Sequence, residues 1–113
     1  MAAQEIIVIR VNVYSTSDEG KEMSAADWFD RGLSWWRARA TRVIECDLVV
    51  IVDCNNVVVG VGRVSGVQKD IDGGSGRISI SALPQPESHL LGKTIRVNGS
   101  RNPISFVTSL EIV

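Results

Sequence analysis

Residues 48–52 read L-V-V-I-V, an unbroken apolar run between Asp47 and Asp53. At five residues it is too short for a membrane span, and its composition is that of a central β-strand. Residues 53–56 (D-C-N-N) have the Asx-rich chemistry of a tight turn, and residues 57–67 (V-V-V-G-V-G-R-V-S-G-V) then supply a hairpin partner. Gly60, Gly62 and Gly66 lie inside that second strand. Glycines there mark a bulge, a sharp bend or a close backbone approach, which a sheet needs if it is to curl towards a barrel.

The remaining elements are placed around this hairpin. Residues 5–14 (E-I-I-V-I-R-V-N-V-Y) alternate, with Ile7, Ile9, Val11 and Val13 on one face. The other face begins apolar at Ile6 and Val8 and turns polar at Arg10 and Asn12, so the first strand starts buried on both sides. Residues 15–22 read as a polar loop. Ser24 to Asp27 has the form of a capping box, opening a helix whose buried side is Trp28 and Phe29. Gly32 either ends that helix or marks a close contact within a longer one. If Gly32 ends it, residues 34–41 (S-W-W-R-A-R-A-T) read as a second short helix with Ser34 as its cap; the two alternatives place Trp35 and Trp36 differently, and the sequence does not choose between them.

Further on, residues 70–76 form a turn. Residues 77–83 alternate, with Ile78, Ile80 and Ala82 inward and Ser79 and Ser81 outward, before Pro84 and Pro86 force a break. Residues 93–97 are expected as a short strand and 98–103 as a loop. Residues 104–113 are expected as the last strand, with Phe106, Thr108, Leu110 and Ile112 on one face. The fold class expected is α+β and mainly β: a small mixed pseudo-barrel of about six strands with a helical insertion after the first, forming one domain over 1–113.

Composition narrows the function classes. At 113 residues, 44% apolar and 22% charged, the chain can bury a core without disulfide staples. The net charge of −1 means that any nucleic-acid binding must come from a local patch. The first residues carry no basic stretch of a secretion signal, which leaves the cytoplasm as the expected location. Cys46 and Cys54 lie eight residues apart in what reads as one strand, a span of about 26 Å, too long for a disulfide. With one histidine, His89, and no CxxC pair, no metal motif is matched, and both cysteines read as small buried apolar residues.

The densest chemical signal is aromatic and basic. All three tryptophans, Trp28, Trp35 and Trp36, fall within nine residues, interleaved with Arg31, Arg37, Arg39 and Arg42, and no acidic residue occurs over 31–44. Broad rings stack on bases or anchor cores, while guanidinium groups hold phosphates. The other candidates fall away. Gly60-Val-Gly62 lies in a strand with no helix after it, unlike a dinucleotide fingerprint. Residues 72–76 (D-G-G-S-G) lack the Lys-Ser/Thr ending of a phosphate cradle. His89 stands alone beside Glu87 and Ser88 in a loop, and Asp27 with Asp30 suits a helix cap and its exposed face. The loop over 98–103 (N-G-S-R-N-P) is a turn former whose Arg101 and Asn102 could hold a phosphate or a base edge.

The order of these pieces resembles the PUA-like superfamily (PUA, ASCH, EVE, YTH and SRA-type modules). The resemblance runs from Ile6 to about Val107: an apolar first strand, a Trp-containing insertion, D-L-V-V-I-V at 47–52, V-V-V-G-V-G-R-V at 57–64, Gly76-Arg77, L-L-G-K-T-I at 90–95 and G-S-R-N-P-I at 99–104. It is closest to the short PUA-like modules that accompany some restriction-type nucleases. That resemblance implies RNA or DNA binding around a modified or flipped base. Trp35, Trp36, Arg37, Arg39 and Arg42 would line the cleft, with Arg101 and Asn102 closing it. It departs from the pattern in having only Tyr14, Phe29 and Phe106 as further aromatics, and no broad basic surface. The expectation is a nucleic-acid-binding module with no catalytic residue, cofactor or metal and no membrane partner. The alternatives are an ASCH-type amidohydrolase acting on modified nucleosides with a Lys, a Thr and a Glu, drawing on Lys21, Lys69 or Lys93, and an interaction module that docks on a protein partner or on a second copy.

Overall fold

In the computed structural model, residues 5–70, 76–97 and 103–113 are described, and for Trp35 the backbone alone. Chain order is β1 (Glu5–Arg10), α1 (Asp18–Glu22), α2 (Ala25–Leu33), β2 (Ser34–Trp36), α3 (Ala40–Ile44), β3 (Cys46–Val52), β4 (Val58–Lys69), β5 (Ile78–Pro84) and β6 (Ile104–Val107). The strands form one mixed sheet in the order β2-β5-β4-β3-β1-β6. The apolar run at 48–52 thus lies inside the sheet, with β4 antiparallel on one side and β1 parallel on the other. Parallel neighbours need a long crossover, and the segment between β1 and β3 provides it. Among the described residues no pairing joins the outer strands β2 and β6.

Both faces of the sheet are covered, as the two-sided apolar start of β1 requires. On one face Ile7, Ile9, Val49, Ile51, Ile78 and Ile80 meet Trp28 and Leu33 of α2 and Val43 of α3. On the other, Val8, Val50, Val52, Val58 and Val61 meet Leu90 and Ile95 of the segment after β5. Two glycines seat α2. A Cβ on Gly32 would stand 2.6 Å from Ile51 Cδ1, and one on Gly62 would stand 2.9 Å from Ala82 Cβ and 3.0 Å from Phe29 Cε1. Gly32 is therefore the close contact within a helix, not its terminator. The α2 start carries the capping box as read: Ser24 accepts from the Asp27 N–H, and Asp27 accepts from the Ser24 N–H. The β3–β4 register shifts between Ile51 and Val52, opposite Gly60 and Val58, and the β4–β5 register shifts between Val64 and Gly66.

Several expected boundaries are corrected. Residues 34–41 do not form one helix: they divide into β2, which pairs with β5 through Ser34–Ser79 and Trp36–Ile78, and the start of α3. A short helical segment is costly to nucleate, and the β5 edge offers Ser34–Trp36 backbone bonds instead. The insertion is thus helical and extended in turn. The 15–22 loop contains α1, capped by the Ser17 hydroxyl on Gly20 N–H. β1 ends at Arg10, opposite Val52 at the end of β3, although Val11 and Val13 continue the buried alternation. Residues 93–97 contribute only isolated bridges, Val57–Thr94 and Ile95–Ile112. β6 ends at Val107 because Val107 already faces Ile6 near the start of β1, leaving no partner beyond. Among the described residues no helix is long and apolar enough to cross a membrane.

Candidate nucleic-acid interface

The Trp/Arg segment is spread over the turn from β2 to α3, and its side chains go to different places. Trp36 is half-buried against the helix-side core, and its indole N–H donates to the Gly32 carbonyl at 2.7 Å. Arg37 is exposed. Arg39 stands at the N-cap of α3 without a side-chain cap bond. Arg42 is committed within the protein: its guanidinium lies 4.2 Å from the Phe106 ring centroid and pairs with Glu5 at 3.4 and 3.5 Å. The side chain of Trp35, and Arg101 and Asn102, lie outside the described residues.

Arg39 is the predicted residue that a surface groove uses. A cavity of about 340 Å³ is lined by Ala38, Arg39, Ala40, Thr41, Lys69, Gly76 and Ile78. The sheet places Lys69 there, because Lys69 at the end of β4 pairs with Ile78 of β5, which in turn pairs with Trp36. The groove therefore has a small aliphatic floor, two cations and no carboxylate among its described lining. Neither Arg39 nor Lys69 has a side-chain partner in the protein among the described residues. A neighbouring cavity of about 330 Å³ shares Arg39 and Thr41 and adds Glu5, Arg42 and Glu45, which gives it mixed charge.

A third cavity, of about 440 Å³, opens at the opposite end of β1 and is lined by Arg10, Val11, Asn12, Tyr14, Cys54 and Pro103. Its walls are tied together by Asp53, which is fully buried. One carboxylate oxygen accepts from Ser15 N–H at 2.9 Å, and the other accepts from Asn55 N–H at 2.8 Å and Val57 N–H at 3.0 Å. Burial alone would push the Asp53 carboxyl up, but hydrogen bonds from Ser15, Val57 and Asn55 outweigh it and leave the group below its ordinary range. Cys54 N–H donates to the Val13 carbonyl at 3.1 Å, closing the same junction.

Two cysteine expectations separate here. Cys46 is buried at the head of β3, and its thiol is pushed from 9.0 to about 11, chiefly by burial and then by the Glu5 carboxylate, with Arg42 opposing. Cys54 is only half-buried and sits in the turn after β3, not in the core. His89 is exposed, and among the described residues no group of His, Cys, Asp and Glu could hold a metal ion. Lys69 was named from sequence only as one of three lysines open to the hydrolytic alternative, and Thr41 and the Tyr14 cavity were not singled out. The signals present were the polar turn of β1 at Arg10 and Asn12, and a lysine at the end of a long strand. Set against protein-family models, curated proteins and solved structures, the chain matches none.

Proposed function

We propose that this chain is a nucleic-acid-binding module of the PUA-like, pseudo-barrel kind, which holds a backbone phosphate of RNA or DNA between Arg39 and Lys69. The observation that carries the reading is that groove: two cations without a side-chain partner among the described residues, an aliphatic floor, and no acidic side chain among the described lining. Each such cation displaces a condensed counterion, so affinity falls with salt in proportion to the phosphates held. Base selection, including any preference for a modified base, is a separate task for side chains outside this groove.

The test is a fluorescence-anisotropy titration with short single- and double-stranded RNA and DNA, modified and unmodified, at two salt concentrations. Arg39→Ala and Lys69→Ala should each weaken binding across sequences and lower the salt slope by about 1. Binding that ignores both substitutions, or no binding at micromolar protein, would remove the reading. A hydrolytic alternative has one observation in its favour: Lys69 and Thr41 line the same groove, with Glu45 in the adjoining one. Turnover of an acylated cytidine, abolished in Lys69→Ala, would establish it.

A further inference from the structure

We propose that the mixed-charge cavity beside the Arg39–Lys69 groove takes a guanine base, stacked on Arg42 and read by Glu45. This rests on the phosphate reading of the groove, because it names the base that accompanies that phosphate. Arg39 and Thr41 line both cavities, so one nucleotide can set its phosphate in the groove and its base in the adjoining cavity. At about 330 Å³ the second cavity stands at the lower end of small-molecule sites.

The short helix α3 builds the pocket. Thr41, Arg42 and Glu45 fall at i, i+1 and i+4 and are exposed, while Val43, on the opposite side, is fully buried. Arg42 is the platform. Its guanidinium lies over the Phe106 ring at 4.2 Å from the centroid, and Nε and one terminal nitrogen each meet an oxygen of Glu5, at 3.4 and 3.5 Å. The plane is thus held on one face and along one edge, yet the side chain is still 51% exposed. A held, exposed guanidinium plane is a stacking surface for a base.

Glu45 selects the base. It is the first acidic residue after the run over 31–44 that has none. Glu5 spends both oxygens on Arg42, but the Glu45 carboxylate has no hydrogen-bond or ion-pair partner among the described residues. Such a carboxylate offers two acceptor oxygens and no donor. The Watson–Crick edge of guanine presents N1–H and N2–H₂ side by side, one for each oxygen. Uracil presents a single N–H between two carbonyls, and adenine and cytosine an amine beside a bare ring nitrogen, so in each the second oxygen meets an acceptor. The described lining carries two arginines and two glutamates, so this cavity adds little net attraction for phosphate and acts on the choice of base. The same guanine and phosphate chemistry is offered by a free nucleotide and by a base in a strand.

The experiment is fluorescence anisotropy of the whole chain with single-stranded oligouridine carrying one central guanosine or inosine, with guanosine monophosphate as competitor. Inosine differs from guanosine only in lacking the N2 amine, and the guanosine strand should bind about tenfold more tightly. Glu45→Gln leaves one acceptor at an exposed position. It should bring the two strands within about twofold of each other without weakening the inosine strand, which thereby reports that the variant is folded. Arg42→Lys keeps the charge and loses the plane, so it should weaken the guanosine strand about fivefold at an unchanged salt slope. Equal affinity for the two strands, a preference that survives Glu45→Gln, or no effect of Arg42→Lys overturns the proposal. Binding that Arg39→Ala and Lys69→Ala weaken, but that shows no preference for guanosine, leaves the phosphate reading standing and removes this one; no binding of any strand removes both. Competition by guanosine monophosphate at micromolar concentration assigns the cavity to a free nucleotide, and competition at millimolar concentration alone assigns it to a base in a strand.

Discussion

Replacing Asp53 by asparagine tests how the junction beyond β1 and β3 is held. The carboxylate is fully buried and accepts three backbone N–H groups, one on Oδ2 and two on Oδ1. An asparagine carbonyl can serve Asn55 and Val57, but its N–H₂ must then face the Ser15 N–H, donor against donor. A hydrogen bond to a charged group is worth roughly 1.5–3 kcal/mol. The two bonds that survive fall to about half strength once the acceptor is neutral. Sparing a buried charge returns part of the loss, and the expected net cost is about 2–4 kcal/mol, a large share of the roughly 5–15 kcal/mol typical of a folded domain. Urea titration at pH 7 should show a midpoint lower by about 1–2 M. The pH dependence supplies a second check. The folded carboxyl lies below its unfolded value of about 3.9. Its contribution is therefore complete above that value and is lost as pH falls through the lower folded one. The gap between wild type and Asp53→Asn should narrow in acid. A variant within about 0.5 kcal/mol of wild type at pH 7, or a gap that does not change with pH, would show that this carboxylate does not hold the junction.

Three further outcomes follow from the packing and the thiols. Gly32→Ala places a methyl within 2.9 Å of three atoms of the fully buried Ile51, and strain of roughly 1–3 kcal/mol should exceed the helix-propensity gain of about 1 kcal/mol. Thermal melting should show net destabilisation that Ile51→Val partly relieves. Trp36→Phe keeps an aromatic ring but removes the indole's fused ring and the donor to the Gly32 carbonyl, so it should cost at least about 1 kcal/mol by denaturant titration. An aromatic disulfide reagent at pH 8 should label Cys54 in the native protein and Cys46 only after denaturation, because burial raises the Cys46 thiol to about 11. That raised value also stabilises the fold fully below about pH 9, and the contribution is lost as pH climbs through about 11.

Much of the sheet was legible because its information is local and periodic. The β3–β4 hairpin follows from an apolar run, an Asx turn and a second valine-rich run. The α2 start follows from one hydroxyl and one carboxylate three residues apart. What was not legible depends on partners distant in sequence. Residues 34–36 are a strand because β5, over forty residues later, presents Ser79 and Ile78 to them. Residues 93–97 form no longer strand because their pairing is limited to residues 56–58 just before and at the start of β4 and to Ile112: Val58 N–H donates to the Lys93 carbonyl, Gly92 N–H to the Val58 carbonyl and Ile95 N–H to the Asn56 carbonyl. A local pattern cannot report either pairing.

The candidate site was harder to read for the same reason, and the arginines show why. Between Trp36 and Ala40 the backbone changes from strand to helix, so neighbours in sequence cease to be neighbours on one face. Arg42 meets Phe106 and Glu5, while Arg39 meets the groove that Lys69 completes from the far end of β4. A contiguous cluster thus becomes one groove residue and one core-side contact, and the second cation comes from thirty residues away. The Tyr14 cavity is assembled in the same manner, from the end of β1, the turn after β3 and the approach to β6. Glu5 at the head of β1 lines the mixed-charge cavity that shares Arg39, and Arg10 at the strand's other end lines the Tyr14 cavity, so the six residues of β1 lie between those two cavities.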